Sequence, residues 1–313
     1  MKSLIIGGAG FVGAYLIRHL RDDLKQQVYV TKMPGEQIKE TVTGAYDLNI
    51  LEQDSIETVL KEVKPDYIYH LAAQSSVAVS WKRPALTVDV NVKGAINVLE
   101  AVRQSAPQAK VLLIGSGEEY GHVRQEEVPI KEGNVTRPGN IYAATKVCQN
   151  LLGKIYADAY DLDIMMVRAF NHIGPNQSPI FVVADFCKQV AEIEAGKREP
   201  VMMVGNLSAK RDFTDVRDVV RAYGLLMDKG TKGQTYNVGS GHAIAIEEIL
   251  KMILKHSAVK IEVETDKEKL RPVDVPIIEA DTGELKKCTG WIPEIALEQT
   301  IIETLEFWRN ENK

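Results

Sequence analysis

Cysteine is scarce in this 313-residue chain: only Cys148, Cys187 and Cys288 occur. They are odd in number, far apart and form no C-x-x-C pair, so neither a disulfide framework nor a structural zinc site is expected. Three reduced thiols acting as small hydrophobic residues account for them. No apolar run reaches the roughly 18 residues that a membrane span requires. The apolar opening of the chain is broken by Gly7, Gly8 and Gly10 before it attains the core length of a secretion signal, and the expectation is a soluble, cytoplasmic protein. Runs of like charge are missing as well. The 38 Lys plus Arg are interspersed among 43 Asp plus Glu for a net charge of -5, which excludes a basic nucleic-acid arm or a polybasic membrane patch. There is no internal repeat, no low-complexity tract and no Gly/Ser linker.

What is present is an ordinary globular composition, 45% hydrophobic and 26% charged, long enough for one large domain or two that share a core. Short β-rich runs at 3–6, 27–31, 67–71, 110–115 and 164–168 alternate with helical patterns at 11–22, 51–61, 88–105 and 141–160. Strands separated by helices of that length imply right-handed crossovers and a parallel sheet covered on both faces. The expected fold is α/β, a doubly wound parallel (Rossmann) sheet with a smaller C-terminal α/β lobe. The dinucleotide-binding part spans 1–168, with a later return of the chain around 201–240; 169–313 forms mainly the substrate lobe. The cleft between them is the default ligand site.

Gly7-Gly8-Ala9-Gly10-Phe11-Val12-Gly13 joins the first strand directly to the first helix. Residues without Cβ let the backbone turn sharply and admit a pyrophosphate to the helix N-terminus, where free N–H groups and the macrodipole favour negative charge. A tight strand-to-helix turn would explain the glycines alone; the strand-turn-helix context points to dinucleotide binding. The second strand ends in Val30-Thr31-Lys32-Met33, without the acidic residue that holds the ribose of NAD. Lys32 suits a 2′-phosphate, so NADP(H) is favoured over NAD(H), although a solvated loop lysine reads the same way. Asp47 could meet an adenine amino group or serve as a turn or cap residue.

Ser116 closes the strand at 110–115, and Tyr142-Ala143-Ala144-Thr145-Lys146 is a Y-x-x-x-K pair. On a helix these side chains stand one turn apart on one face, where an ammonium can favour the ionised form of a phenol. That would make Tyr142 a usable acid or base near neutrality. An amphipathic helix surface produces the bare pattern too. Its specificity comes from the glycine turn and the strand-ending serine before it.

Over nearly its full length the chain resembles the extended short-chain dehydrogenase/reductase family. The matching stretches are the glycine turn, His70-Leu71-Ala72-Ala73, Asn91-Val92-Lys93-Gly94, Ser116 with Tyr120-Gly121, and Tyr142 with Lys146. Within the family it is most similar to the reductases of GDP-4-keto-6-deoxy-D-mannose that form GDP-D-rhamnose. Phe170-Asn171-His172-Ile173-Gly174-Pro175, Gly205-Asn206-Leu207, the run from Arg211 to Asp218, Leu270-Arg271-Pro272 and Thr289-Gly290-Trp291 carry that likeness. Ile6 departs from a frequent Thr, and Gly117 from a frequent Ser or acid. The resemblance implies a nicotinamide cofactor on Gly7, Gly10, Phe11, Val12, Gly13, Lys32, Asp47, Leu48, Leu71, Ala72, Ala73, Tyr142 and Lys146. It implies catalysis by Ser116, Tyr142 and Lys146, and a GDP-sugar held by Glu118, Asn171, Lys188, Arg211 and Arg271, with no metal. Cations with fork geometry suit a diphosphate; a solvated helix face would equally explain Lys188.

In the related GDP-mannose 4,6-dehydratases a glutamate at the position of Glu118 removes the C5 proton. Gly117, with no hydroxyl or carboxyl to assist elimination, and the shorter chain favour the reductase. A UDP-sugar 4-epimerase would share Ser116, Tyr142 and Lys146 but finish with no net redox change, and a non-catalytic protein of the same fold is a further alternative. The helical patterns at 88–105 and 141–160 are apolar on more than one face, which suits a homodimer joined by a four-helix bundle.

Overall fold

The computed structural model describes residues 1–266, 269 and 275–313. Arg271, with Leu270 and Pro272 of its motif, lies outside the described residues. The chain begins with β1 (Lys2–Ile6), α1 (Phe11–Arg18), β2 (Gln27–Lys32), β3 (Gly44–Asp47), α2 (Gln53–Val63) and β4 (Tyr67–His70). A segment with α3 (Val77–Lys82) and α4 (Pro84–Val88) runs into α5 (Gly94–Ser105), followed by β5 (Lys110–Ser116), α6 (Ile141–Tyr160) and β6 (Ile164–Ala169). Then come β7 (Asn171–Ile173), α7 (Val182–Glu194), β8 (Val201–Val204), β9 (Lys210–Asp215), α8 (Val216–Lys229) and β10 (Thr235–Val238). The remainder holds β11 (Ala243–Ala245), α9 (Ile246–Lys255), β12 (Glu262–Thr265), β13 (Ile277–Ile278), α10 (Gly283–Thr289) and α11 (Leu297–Glu311).

The main sheet has seven parallel strands in the order β10-β6-β5-β4-β1-β2-β3. Its central members are buried throughout: every residue of β4 and β6 is buried, His70 and Arg168 included, as strands covered on both faces must be. One face packs on α1, α8 and Trp291, the other on α2, α5 and α6. Each fully buried Leu, Ile or Val in these layers contributes about 1.5–3 kcal/mol. The chain builds outward from β1 to β3, then returns to the other side of β1 as β4. That reversal opens a crevice beyond the carboxyl ends of β1 and β4, where doubly wound sheets bind their ligands.

After β6 the chain leaves the sheet and builds a second core of α7, α9, α11 and β9 around Phe186, Val190, Ile249 and Ile301. The chain returns to the main sheet at 216–238, as α8 and β10, and Leu285 of α10 and Trp291 pack on the same face. The run at 201–204, expected within that return, pairs instead with β12, because Met202 and Val204 are buried in the lobe core. Two other differences are local. The short strand β3 precedes α2, so Asp47 ends a strand and lies in register with Lys32. The helices expected at 11–22 and 88–105 each contain a π-helical stretch, His19–Asp23 and Asp89–Lys93.

Candidate active site

The glycine turn shows why it tolerates no side chains. Gly7 has φ +87°, and a Cβ there would lie 2.7 Å from the Ala72 backbone; one on Gly13 would lie 2.3 Å from the Gly8 carbonyl oxygen. These two glycines press the turn against β4 and against the first turn of α1. At Gly10, which caps α1, an added Cβ would meet nothing closer than 4.0 Å. The helix N-terminus therefore faces open space, and a dinucleotide pyrophosphate fits there. Ala72 and Leu71 are held at this crevice by their N–H groups on the Ile6 carbonyl, at 2.8 and 2.9 Å.

Phe11 and Val12 follow the turn. The Phe11 ring stacks on His172 with centroids 6.3 Å apart and planes 5° from parallel, and Tyr15 donates a hydrogen bond to the Pro175 carbonyl at 2.9 Å. The segment after β6 is thus closed onto the cofactor turn. At the outer end, Lys32 is ion-paired with Asp47, while Leu48 is buried beside them and donates its N–H to the Lys32 carbonyl.

Ser116 ends β5 and caps the short turn Gly117–Tyr120, its Oγ accepting from the Glu118 N–H. Asn140 caps α6 by accepting from the Ala143 N–H at 2.8 Å, which sets the first turn of that helix against the end of β5. Tyr142 and Lys146 consequently face Ser116, all three buried. Burial holds the Tyr142 phenol well above its ordinary pKa; a hydrogen bond with the Ser116 side chain opposes this, and Glu118 and Glu119 reinforce it. Burial, not the ammonium expected to favour phenolate, dominates here. Lys146 instead donates to the Ile114 carbonyl at 2.7 Å and to Gln149 Oε1 at 3.0 Å. Burial lowers its pKa to about 8, against the upward pull of Glu119.

Glu118 receives a hydrogen bond from Asn140 Nδ2 at 3.1 Å, so its carboxylate is held by the residue that caps the helix of Tyr142. A Cβ on Gly117 would lie 3.1 Å from the Phe170 ring, which explains the missing side chain beside Glu118. Asn171 begins β7, in register with Phe213. Arg211 is buried on β9 and donates to the Lys210 and Val275 carbonyls at 2.8 and 2.7 Å. Lys188 lies in the lobe, 3.6 Å from Glu192 and over the Trp308 ring.

Sequence reasoning passed over Asn140, Gln149, Glu119 and Arg168. Two of these carried a signal: Asn140 stands immediately before an apolar helix, and Ser116-Gly-Glu-Glu119 has the S-x-x-E spacing of a capping box. Among the described residues no cluster of His, Cys, Asp or Glu could hold a metal ion, and no helix is long and apolar enough to cross a membrane.

An open helix N-terminus at the point where the sheet reverses, with a buried Ser, Tyr and Lys at the end of β5, defines an oxidoreductase of the extended short-chain type using a nicotinamide dinucleotide. More specifically, the chain belongs to the GDP-mannose 4,6 dehydratase family, whose model matches residues 4–304. It is 32% identical to GDP-6-deoxy-D-mannose reductase of Pseudomonas aeruginosa, over 99% of this chain and 97% of that one. UDP-glucose 4-epimerase of Mycolicibacterium smegmatis is 30% identical over the whole of both chains. The structure of RMD from Pseudomonas aeruginosa complexed with NADPH superposes with a TM-score of 0.89 at 30% identity, covering 99% of this chain and 100% of that one.

Proposed function

We propose that the protein reduces the C4 ketone of GDP-4-dehydro-6-deoxy-D-mannose to GDP-D-rhamnose with NADPH. The observation that carries this reading is the packing of the buried Tyr142 and Lys146 of α6 against the end of β5, where Tyr142 is hydrogen-bonded with Ser116 and Lys146 with the Ile114 carbonyl. The likeness to a reductase and to an NADPH complex supports it. When bound, NADPH supplies the hydride that reduces the carbonyl carbon. Tyr142, kept protonated by burial, donates its phenolic proton to the carbonyl oxygen. Ser116 hydrogen-bonds the same oxygen as negative charge develops on it. Lys146 holds the nicotinamide ribose hydroxyls, Gly10 and the first turn of α1 hold the pyrophosphate, and Lys32 neutralises the 2′-phosphate. Asn171 meets the sugar, and Arg211, Lys188 and Arg271 serve the GDP diphosphate.

Glu118 argues for reduction over dehydration. Its carboxylate is hydrogen-bonded to Asn140, and residue 117 beside it is a glycine, with no hydroxyl or carboxyl to assist elimination. Glu118 then serves as a sugar contact. Purified protein is expected to oxidise NADPH rapidly when given GDP-4-dehydro-6-deoxy-mannose, and to form no keto sugar from GDP-mannose plus NADP. A keto sugar appearing from GDP-mannose would move the protein to the dehydratases and make Glu118 the catalytic base. Activity on UDP-sugars alone would favour the epimerase.

A further inference from the structure

Against the Ser116 backbone lies a buried carboxylate. Glu119 is fully buried, and each of its oxygens is engaged: Oε1 accepts the Ser116 N–H at 2.9 Å, and Oε2 accepts from Arg168 Nε at 2.8 Å. The space exists because residue 115 is glycine, where a Cβ would lie 2.3 Å from Glu119 Oε1. Arg168 in turn donates to the Tyr120 hydroxyl and to the Glu132 carbonyl, both at 3.0 Å, and Tyr120 donates to Asn237 of β10 at 2.7 Å. The carboxylate is therefore anchored to three strands. Burying an ion pair stabilises a fold weakly at best, since desolvation offsets the attraction, and an apolar pair of the same volume would serve as well. A role beyond packing is indicated.

Lys146 lies close by: its ammonium binds the Ile114 carbonyl, which belongs to the peptide unit of Gly115, the residue against which Glu119 Oε1 packs. Its ammonium donates to a carbonyl and an amide oxygen, neither of them anionic. We propose that Glu119 is a positioning residue for the reduction, fixing the Ser116 backbone and supplying the buried negative charge that keeps Lys146 protonated. The surrounding titratable groups leave it that part. Tyr120 and Arg168 engage the Glu119 network itself, and Glu132 joins it from the far side of Arg168. Glu118 acts on Tyr142, as Glu119 itself also does. His70, facing Lys146 from β4, is held neutral by burial and by the ammonium. Burial raises Glu119 and lowers Lys146, and each group draws the other back toward its charged form.

The effect on rate rests on the proposed ketone reduction; the effect on Lys146 does not. Glu119→Gln keeps an oxygen for the Ser116 N–H and removes the charge. In lysine-labelled protein, with the Lys146 resonance identified by its loss in Lys146→Arg, the 13Cε titration midpoint of Lys146 is expected to fall by about one pH unit. The alkaline limb of kcat is expected to move down with it, so that the loss of activity grows between pH 6 and pH 8. If Glu119→Gln does not fold, the double variant Glu119→Leu with Arg168→Met removes both charges at similar volume and is expected to lower the midpoint too. An unchanged Lys146 midpoint in the folded variant overturns the proposal, as does an activity loss equal at every pH. An inactive wild-type protein whose Lys146 midpoint still falls in the variant would instead count against the ketone reduction.

Discussion

The role proposed for Tyr142, that of an acid, follows from what surrounds it. Buried at the end of β5 and beside two glutamates, its phenol holds its proton at any physiological pH, which suits donation to an oxygen that gains charge during reduction. Tyr142→Phe keeps the ring's packing and removes the proton. Its kcat for ketone reduction is expected to fall by about 10²–10⁴-fold with NADPH affinity by fluorescence titration nearly unchanged; a variant with full activity would remove Tyr142 from the mechanism. Glu118, two residues before Tyr120, is tied to Asn140. Its spacing in the chain announced the residue, but its hydrogen-bond partner depends on how α6 docks.

At the level of elements, the turn into α1 is the most demanding piece of local structure. A methyl group on residue 13 would overlap the Gly8 carbonyl, so α1 would have to shift away from β1. Gly13→Ala is expected to cost about 1–3 kcal/mol in thermal or denaturant unfolding and to weaken NADPH binding; wild-type stability and affinity would show that the turn has room. The segment Arg211-Asp212-Phe213-Thr214-Asp215-Val216-Arg217-Asp218 teaches a different lesson. Its aspartates are buried and used structurally. Asp212 accepts from the Ser240, Gly241 and Ala280 N–H groups; Asp215 caps α8 and accepts from Thr300; Asp218 accepts from the Glu294 and Ile295 N–H groups. One stretch of β9 and α8 thus ties down loops and helices from much later in the chain. Trp291 belongs to the same set, buried beneath α8 with its indole N–H on the Asp218 carbonyl. A motif that marks the family marks, for most of its length, a fastening between lobe and sheet.

At the scale of the molecule, α4 and α6 lie side by side on one flank, where Val88 of α4 and Leu151 and Ile155 of α6 are exposed at 45%, 57% and 55%. Leu151 and Ile155, one turn apart on α6, form with Val88 of α4 an exposed aliphatic patch that we propose a second copy of the chain covers. Light scattering of the wild-type protein is expected to give the mass of a dimer at micromolar concentration, and Leu151→Asp with Ile155→Lys that of a monomer. A wild-type monomer would leave the flank as ordinary surface.

The parts of this protein determined by sequence alone are those whose causes are local. The alternation of apolar strands and helices specifies the doubly wound sheet, the glycines of one turn specify the open helix N-terminus, and Tyr142 and Lys146 share a face because they are four residues apart on α6. The tertiary structure decided what those residues meet. Glu119 and Arg168 are 49 residues apart, and Asn140 and Glu118 are 22 apart; only the pairing of β5 with β6 and the docking of α6 bring each pair together. The same distinction explains the run at 201–204, whose strand-forming residues were legible while its partner was not. Strand propensity is a property of a segment, but the choice of sheet follows from which core buries its side chains. The balance of burial against neighbouring charge that keeps Tyr142 protonated and lowers Lys146 is likewise a property of assembled layers, because desolvation exists only once the layers have closed.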